Sequence, residues 1–233
     1  MQALNIQETA ILVFALSSQE ECRRKKTLNS PALFNALSEY SLEMVSKTGL
    51  PYFHYTEKEQ TGDTFGERFS NAIQAIFKKG FKRVITIGND TPQLKTSHIV
   101  EAATLLEKNR LVIGPSSDGG FYLMGLHKEN FDKEIFENLP WQTSELRLSI
   151  KKVLPFKSSD IIQLDRLFDI DTDRDLKLLS KFTNQLTRFI RRIILKLIDP
   201  HSTIYSIELP FKEEFKYRIH QNKGSPELFS VFR

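Results

Sequence analysis

The sequence predicts an α/β protein of the three-layer α/β/α class, with a mainly parallel but mixed sheet. Short apolar runs of strand length alternate with stretches of helical period over roughly the first 175 residues, which is typical of this class. The run at residues 10–15 is apolar throughout, as in a parallel strand covered on both faces. With 40% hydrophobic and 27% charged residues, the chain of 233 residues has the composition of a globular protein.

The periods and boundary residues place the individual elements along the chain. Strands are predicted at residues 10–15, 51–55, 83–87, 111–114 and 161–164, with residues 121–126 as an antiparallel partner. Helices are predicted at residues 31–47, 64–80, 97–108 and 131–136. Two more are predicted, one that begins at a cap of Thr143 or Ser144 and one that begins at Asp173. Residues 17–29 are predicted to be a polar and basic loop. Because ligands bind outside the carboxyl ends of parallel strands, the loops after residues 15, 87 and 114 form the predicted crevice.

Composition excludes several classes of site. The only cysteine, Cys22, cannot form an intramolecular disulfide, and no cysteine-based zinc site is possible. The five histidines form no metal or catalytic-triad pattern, and no phosphate-binding loop or dinucleotide glycine pattern occurs. The amino terminus lacks a basic signal-peptide region, and the apolar run at residues 10–16 is far shorter than the ~20 residues of a membrane span. We therefore expect a cytoplasmic protein.

The first candidate for chemistry is Asp90, which follows the predicted strand at residues 83–87 and the pair Gly88-Asn89. A carboxylate in this place is a suitable oxygen ligand for Mg²⁺ or Mn²⁺, and the ion could neutralise a diphosphate. Asp90 could equally form the turn ahead of Pro92. Position alone leaves both interpretations open.

Three further segments carry polar or aromatic groups at predicted loops. Asp118 precedes Gly119 and Gly120, where glycines allow a close backbone approach to a ligand, although a hairpin with an Asx turn explains the same residues. The only tryptophan, Trp141, stands at a loop-to-helix junction, where a buried core aromatic is the simpler interpretation. Three carboxylates at residues 169–173 precede a helix, and capping accounts for Thr172 but does not require Asp169 or Asp171.

In this order and spacing, five segments resemble one family: the GT-A-fold, nucleotide-diphospho-sugar transferase-like bacterial proteins described as radical-SAM/selenodomain-associated transferases, formerly a domain of unknown function. The similarity covers roughly residues 10–176 and extends more faintly to guanylyltransferases of cofactor biosynthesis. The matching segments are residues 60–69, 87–94, 114–126, 140–144 and 169–176.

The resemblance implies a metal-dependent transferase that uses a nucleotide-activated small-molecule substrate, with glycosyl transfer favoured over guanylyltransferase-like nucleotidyl transfer. It implies Mg²⁺ or Mn²⁺ at Asp90 and Asp171, and a catalytic Asp118 that faces the transferred group or the acceptor. Further residues are expected to bind substrate (Gly119, Gly120, Trp141 and Thr143) or nucleotide (Ala15, Lys25, Lys26, Asn89 and Asp90).

The first loop departs from the family pattern. After its first strand the family has a loop with a glycine and basic residues that cradle phosphates. Here Leu16 replaces the family's lysine, no glycine is present, and Glu20 and Glu21 are inserted, although Lys25 and Lys26 could still pair with phosphates. A catalytically inactive protein that serves in binding or assembly is therefore the alternative from a different functional class.

The carboxyl-terminal segment, residues 177–233, is predicted to be separate from the transferase-like domain at residues 1–176. From Lys177 onward 11 Lys and Arg stand against 5 Asp and Glu. Large apolar residues from Phe182 to Leu197 follow one helical stripe. That helix could pack on the domain, form a homodimer or lie on an anionic membrane surface. Strands are predicted at residues 203–209 and 214–220, and nucleic-acid binding is not indicated because the basic residues lack interleaved aromatics.

Overall fold

The computed structural model describes residues 8–25, 28, 30–153 and 160–199. These all belong to the first of the two units into which the chain divides, residues 1–202 and 203–233. The strands are β1 (Thr9–Phe14), β2 (Tyr52–Tyr55), β3 (Arg83–Ile87), β4 (Leu111–Pro115), β5 (Phe121–His127) and β6 (Ile161–Gln163). The α-helices are α1 (Ser18–Arg24), α2 (Pro31–Ser46), α3 (Phe65–Lys78), α4 (Thr96–Leu106), α5 (Lys133–Glu137), α6 (Leu146–Val153), α7 (Asp173–Leu179) and α8 (Arg188–Ile198).

Within the described residues the strands form one six-stranded sheet in the order β2-β1-β3-β5-β4-β6. Strand β1 pairs in parallel with β2 and β3, and β4 pairs in parallel with β6. Strand β5 is antiparallel to both β3 and β4, as predicted for residues 121–126. All strands except β5 therefore run in the same direction, and the predicted fold class is confirmed.

Helices cover both faces of the sheet. Alternate residues of a strand point to opposite sides, so a strand that is apolar at every position has to be covered on both. On one face, Ala10 and Leu12 of β1 lie in a core cluster with residues of α3, α5 and α6. On the other face, Ile11 and Val13 lie in a second cluster with residues of α2 and α4. The two clusters account for the continuous apolar run of β1 and give the three layers.

The prediction of a loop at residues 17–29 was wrong, because Ser18–Arg24 form helix α1. The Ser17 hydroxyl caps this helix by accepting a hydrogen bond from the Glu20 backbone N–H. The Glu20 carboxylate then pairs with Arg23 and Arg24, each at 2.7 Å, in the i,i+3 and i,i+4 spacings that stabilise helices. The sequence of α1 lacks the apolar helical period from which the longer helices were predicted.

The carboxyl-terminal helices pack on the outer side of α2. A third core cluster joins Leu33 and Leu37 of α2 to Leu176 of α7 and to Ile190 and Ile194 of α8. This packing within the chain is one of the three arrangements that the sequence analysis left open for the apolar stripe. The boundary predicted at residue 176 falls inside α7, and the division into two domains stays a prediction.

The stripe from Phe182 to Leu197 is not one continuous helix. Residues Ser180–Gln185 form a 3₁₀ segment with a non-helical Phe182 (φ −111°, ψ 34°), and α8 begins only after a new cap, Thr187. Two members of the stripe, Phe189 and Leu197, are 42% and 39% exposed.

Homodimer formation and membrane contact stay predictions. No helix in the described part of the chain is long and apolar enough to cross a membrane. The strands predicted at residues 203–209 and 214–220 lie outside the described residues.

Candidate active site

The candidate site lies at the edge of the sheet where β1, β3, β4 and β6 end. These strands run in one direction, so the segments that follow them meet at a common edge, as ligand-binding segments do in open α/β sheets. The segment after β1 contains α1, and the segments after β3 and β4 contain Asp90 and Asp118. The segment after β6 leads to Asp169 and Asp171.

Lys25, at the end of α1, holds the centre of this site. Its ammonium Nζ lies 2.8 Å from Oδ1 of Asp171, 3.1 Å from Oδ2 of Asp90 and 3.6 Å from Oε2 of Glu21. It also donates a hydrogen bond of 2.9 Å to the carbonyl oxygen of Ile170. The two predicted metal ligands, Asp90 and Asp171, are therefore brought together, but around an ammonium group.

The surroundings of this cluster change the protonation equilibria of its members. Only 17% of the Lys25 side chain is exposed. Burial alone lowers the pKa of Lys25, but the carboxylates of Asp90, Glu21 and Asp171 raise it, and the net pKa lies above its ordinary value. Burial raises the pKa of Glu21 and of Asp171, and the positive charge of Lys25 opposes the rise in both. At neutral pH the lysine is thus charged and compensates several acidic groups.

Asp169 is a further carboxyl group at the same edge, half-buried in the structure, and no role was predicted for it. The Thr91 hydroxyl donates a hydrogen bond to its Oδ1. Burial, together with the negative charges of Asp90 and Asp118, raises the pKa of Asp169 to about 8. The signal for Asp169 was present in the sequence, since helix capping did not explain the acidic run before α7.

Asp118 lies in a tight turn after β4. Its Oδ1 accepts hydrogen bonds from the Gly120 backbone N–H, at 2.9 Å, and from the Ser116 hydroxyl. This is the Asx turn that the sequence left as an alternative. Gly119 has a φ of +105°, and a Cβ on it would lie 2.8 Å from the Ser144 Cα, so this position requires glycine. The turn presents Asp118 on the exposed side of the sheet edge.

Two predicted nucleotide-binding residues have contacts within the fold, and their nucleotide binding stays a prediction. Asn89 is buried and donates from Nδ2 to the Ser38 hydroxyl of α2 at 2.9 Å. Ala15 is buried, and its backbone N–H donates to the Tyr55 carbonyl oxygen at 3.2 Å. Both residues hold the strand ends in place. Lys26 lies outside the described residues.

Trp141 packs into an aromatic cluster beside the sheet edge. Its ring centroid lies 5.0 Å from Phe69, 5.3 Å from Phe65 and 6.0 Å from Phe121, and Nε1 donates to the Phe136 carbonyl oxygen. These contacts match the core-aromatic interpretation. Thr143 is exposed, and its hydroxyl donates to the Pro140 carbonyl oxygen at 2.8 Å.

The geometry around Lys25 suits an ammonium group better than a metal ion. Its oxygen neighbours lie at 2.8–3.6 Å, whereas Mg²⁺ binds oxygen at about 2.0–2.1 Å. Over the ranges that the structure describes, no three His, Cys, Asp or Glu side chains come close enough together to hold a metal ion. In this arrangement Asp90 and Asp171 do not fit the implied Mg²⁺ or Mn²⁺, which stays a prediction.

A model of one protein family matches the middle of the chain. It is described as "Uncharacterized protein conserved in bacteria (DUF2064)". Residues 47–143 match this family. The DUF2064 match spans β2 to β5 and includes the loops of Asp90 and Asp118. The family resemblance that the sequence predicted is confirmed over residues 47–143. No curated protein matches the sequence significantly.

Several solved structures are similar to this chain. A protein from Desulfovibrio desulfuricans G20, provisionally assigned as a nucleotide-diphospho-sugar transferase, has a TM-score of 0.69 at 23% identity over 83% of this chain and 96% of that chain. The 4-diphosphocytidyl-2C-methyl-D-erythritol synthase of Anaerococcus prevotii DSM 20548 has a TM-score of 0.52 at 11% identity, over 77% and 100%. A manganese complex of Rv0371c from Mycobacterium tuberculosis H37Rv has a TM-score of 0.46 at 12% identity, over 74% and 97%.

Proposed function

We propose that this chain is a transferase that acts on a nucleotide-activated small-molecule substrate, with glycosyl transfer favoured over nucleotidyl transfer. One observation carries the proposal: Lys25, Asp90 and Asp171 come from three separate parts of the chain and meet at the carboxyl edge of the sheet. The family match and the shared fold of a provisionally assigned nucleotide-diphospho-sugar transferase support this assignment.

In this proposal Lys25 compensates negative charge, and the turn that contains Asp118 positions the reacting groups. The Lys25 ammonium is the cation offered to the nucleotide phosphates, where it would offset negative charge that develops on the leaving group. Gly119 and Gly120 leave space for the transferred group to approach the backbone, and Asp118 faces the acceptor. No step is assigned to a metal ion, because Asp90 and Asp171 are paired with Lys25.

A thermal-shift experiment tests the nucleotide-binding part of this proposal. The protein is heated with millimolar UDP, GDP or CTP, each in EDTA and in Mn²⁺. A nucleotide at 100 times its Kd stabilises the fold by about 2.7 kcal/mol, which corresponds to roughly 5–10 °C for a chain of this size. We expect at least one nucleotide to produce such a rise, and Lys25→Ala to diminish the rise that is measured in EDTA.

The matched control is Lys47→Ala, which removes the same charge from an exposed position at the carboxyl end of α2. It should retain the full nucleotide-induced shift. If none of the nucleotides stabilises the unaltered protein with or without Mn²⁺, the proposed substrate class is wrong.

The alternative of a catalytically inactive binding protein also has a specific observation in its favour. The first loop contains a helix, and the lysine at its end pairs with the two acids predicted to act at the site. An inactive protein of this kind would bind a nucleotide in the thermal-shift experiment and release no product from it. Product analysis therefore separates the two functions.

A further inference from the structure

The oxygens around Lys25 form a cage that comes from separate elements. Glu21 belongs to α1, Asp90 follows β3, and both the Ile170 carbonyl and Asp171 precede α7. The cage surrounds the ammonium group of Lys25, whose side chain is mostly buried. Carboxylate and carbonyl oxygens are also the donors that hard divalent cations prefer. The cage is thus chemically suitable for a cation, and the chain itself supplies one.

Lys25 is held in this cage by the fold. It directly follows α1, and its backbone N–H donates to the Glu21 carbonyl oxygen. Helix α1 is anchored at its start by Ser17, whose N–H and hydroxyl both donate to the Glu57 carboxylate at 2.8 Å. At its end the ammonium also lies over the Phe34 ring of α2. These contacts keep the positive charge close to the carboxylates.

An ammonium and a divalent ion cannot both occupy this position. The Nζ atom lies 2.8 Å from Oδ1 of Asp171 and 3.1 Å from Oδ2 of Asp90, and a metal that replaced it between these oxygens would lie at about 2.0–2.6 Å from them. Two like charges at such a separation repel strongly in a partly buried site. Metal binding at the position of Nζ therefore requires Lys25 to leave the cage.

We propose that the Lys25 ammonium is the resident cation of this cleft and competes with divalent metal ions for the oxygens of Asp90 and Asp171. The charge of the cleft is then balanced by the chain, without a bound metal. This inference goes beyond the proposed function and does not depend on it, because it concerns the protein and the metal alone.

Mn²⁺ binding, followed by the electron paramagnetic resonance signal of the free ion, tests the proposal without any nucleotide. The unaltered protein, Lys25→Ala, Lys25→Arg and the control Lys47→Ala are titrated at low ionic strength. We expect Lys25→Ala to bind one Mn²⁺ roughly tenfold more tightly than the unaltered protein, since the freed oxygens gain a partner. Lys25→Arg and Lys47→Ala should behave like the unaltered protein.

Two further measurements assign the result to the cage. The double variant Lys25→Ala/Asp90→Asn should lose the gained Mn²⁺ affinity, and Mn²⁺ should raise the melting temperature of Lys25→Ala more than that of the unaltered protein. Circular dichroism checks that each variant is folded, and Lys25→Gln replaces Lys25→Ala if the latter unfolds. The proposal is overturned if the unaltered protein binds Mn²⁺ as tightly as the folded variant that lacks the lysine.

Discussion

Replacing Lys25 with methionine is expected to lower the free energy of unfolding by about 2–3 kcal/mol at pH 7, because it leaves several carboxylates close together without their cation. Glu21 is only 9% exposed and loses its nearest positive charge. Methionine is unbranched and only one atom shorter than lysine, so it fills most of the same space and the loss reports mainly the missing charge. The estimate lies below the value for fully buried pairs because Asp171 is 46% exposed and Asp90 is 31% exposed.

Urea denaturation measures this loss, with Lys47→Met as its control. Lys47 pairs with Glu43 on the surface, where both side chains are more than half exposed, and its removal should cost less than about 0.5 kcal/mol. The difference between the two variants should shrink at pH 4, because burial raises the pKa of Glu21 and of Asp171 and these carboxylates then take up protons. Equal effects of the two substitutions would show that the Lys25 cluster contributes nothing to stability.

Replacing Asp169 with asparagine is expected to make the protein more stable at alkaline pH. The pKa of Asp169 is raised from an ordinary value near 4 to about 8 in the folded chain. Between these two values the folded protein keeps a proton that the unfolded chain has released. The free energy of unfolding therefore falls as the pH rises from about 4, and it levels off above about 8.

The asparagine side chain of the Asp169→Asn variant cannot ionise, so the variant should lack this part of the pH dependence. Between pH 5 and pH 8.5 we expect the free energy of unfolding of the unaltered protein to fall by roughly 2 kcal/mol more than that of Asp169→Asn. This value is smaller than the full pKa shift would give, because the carboxyl group is partly solvated. Urea denaturation at the two pH values measures the difference. Asp63→Asn, at an exposed loop position, should follow the unaltered protein. A parallel pH dependence in Asp169→Asn would contradict the assignment of a raised pKa.

The architecture was predictable because the strands and most helices carry strong local patterns. Strand β1 is apolar from Ala10 to Phe14, and the Thr64–Glu67 capping box predicted for α3 is present. The direction of the strands then placed Asp90 and Asp171 at the same edge of the sheet, as the rule for parallel sheets predicts. Local pattern and general topology thus located the candidate site.

The details of the site depend on contacts that no local pattern contains. Helix α1 has seven residues and is too short to be stable alone, so its formation depends on packing and on its cap. Its formation places Lys25 against acids that are 65 and 146 residues away in the sequence. The kink at Phe182 likewise leaves the apolar stripe unchanged, so the period could not show where one helix ends and α8 begins.

The products formed from activated substrates test the central claim most directly. The protein is incubated with nucleotide sugars, and separately with nucleoside triphosphates and sugar phosphates, in EDTA and in Mn²⁺, and the products are separated by chromatography and identified by mass spectrometry. We predict release of a nucleoside diphosphate from a nucleotide sugar, at a rate well above that of a folded Asp90→Asn variant. Release of pyrophosphate instead would assign nucleotidyl transfer. Formation of neither product above the level of the Asp90→Asn variant would contradict the assignment of this cleft as a transferase site.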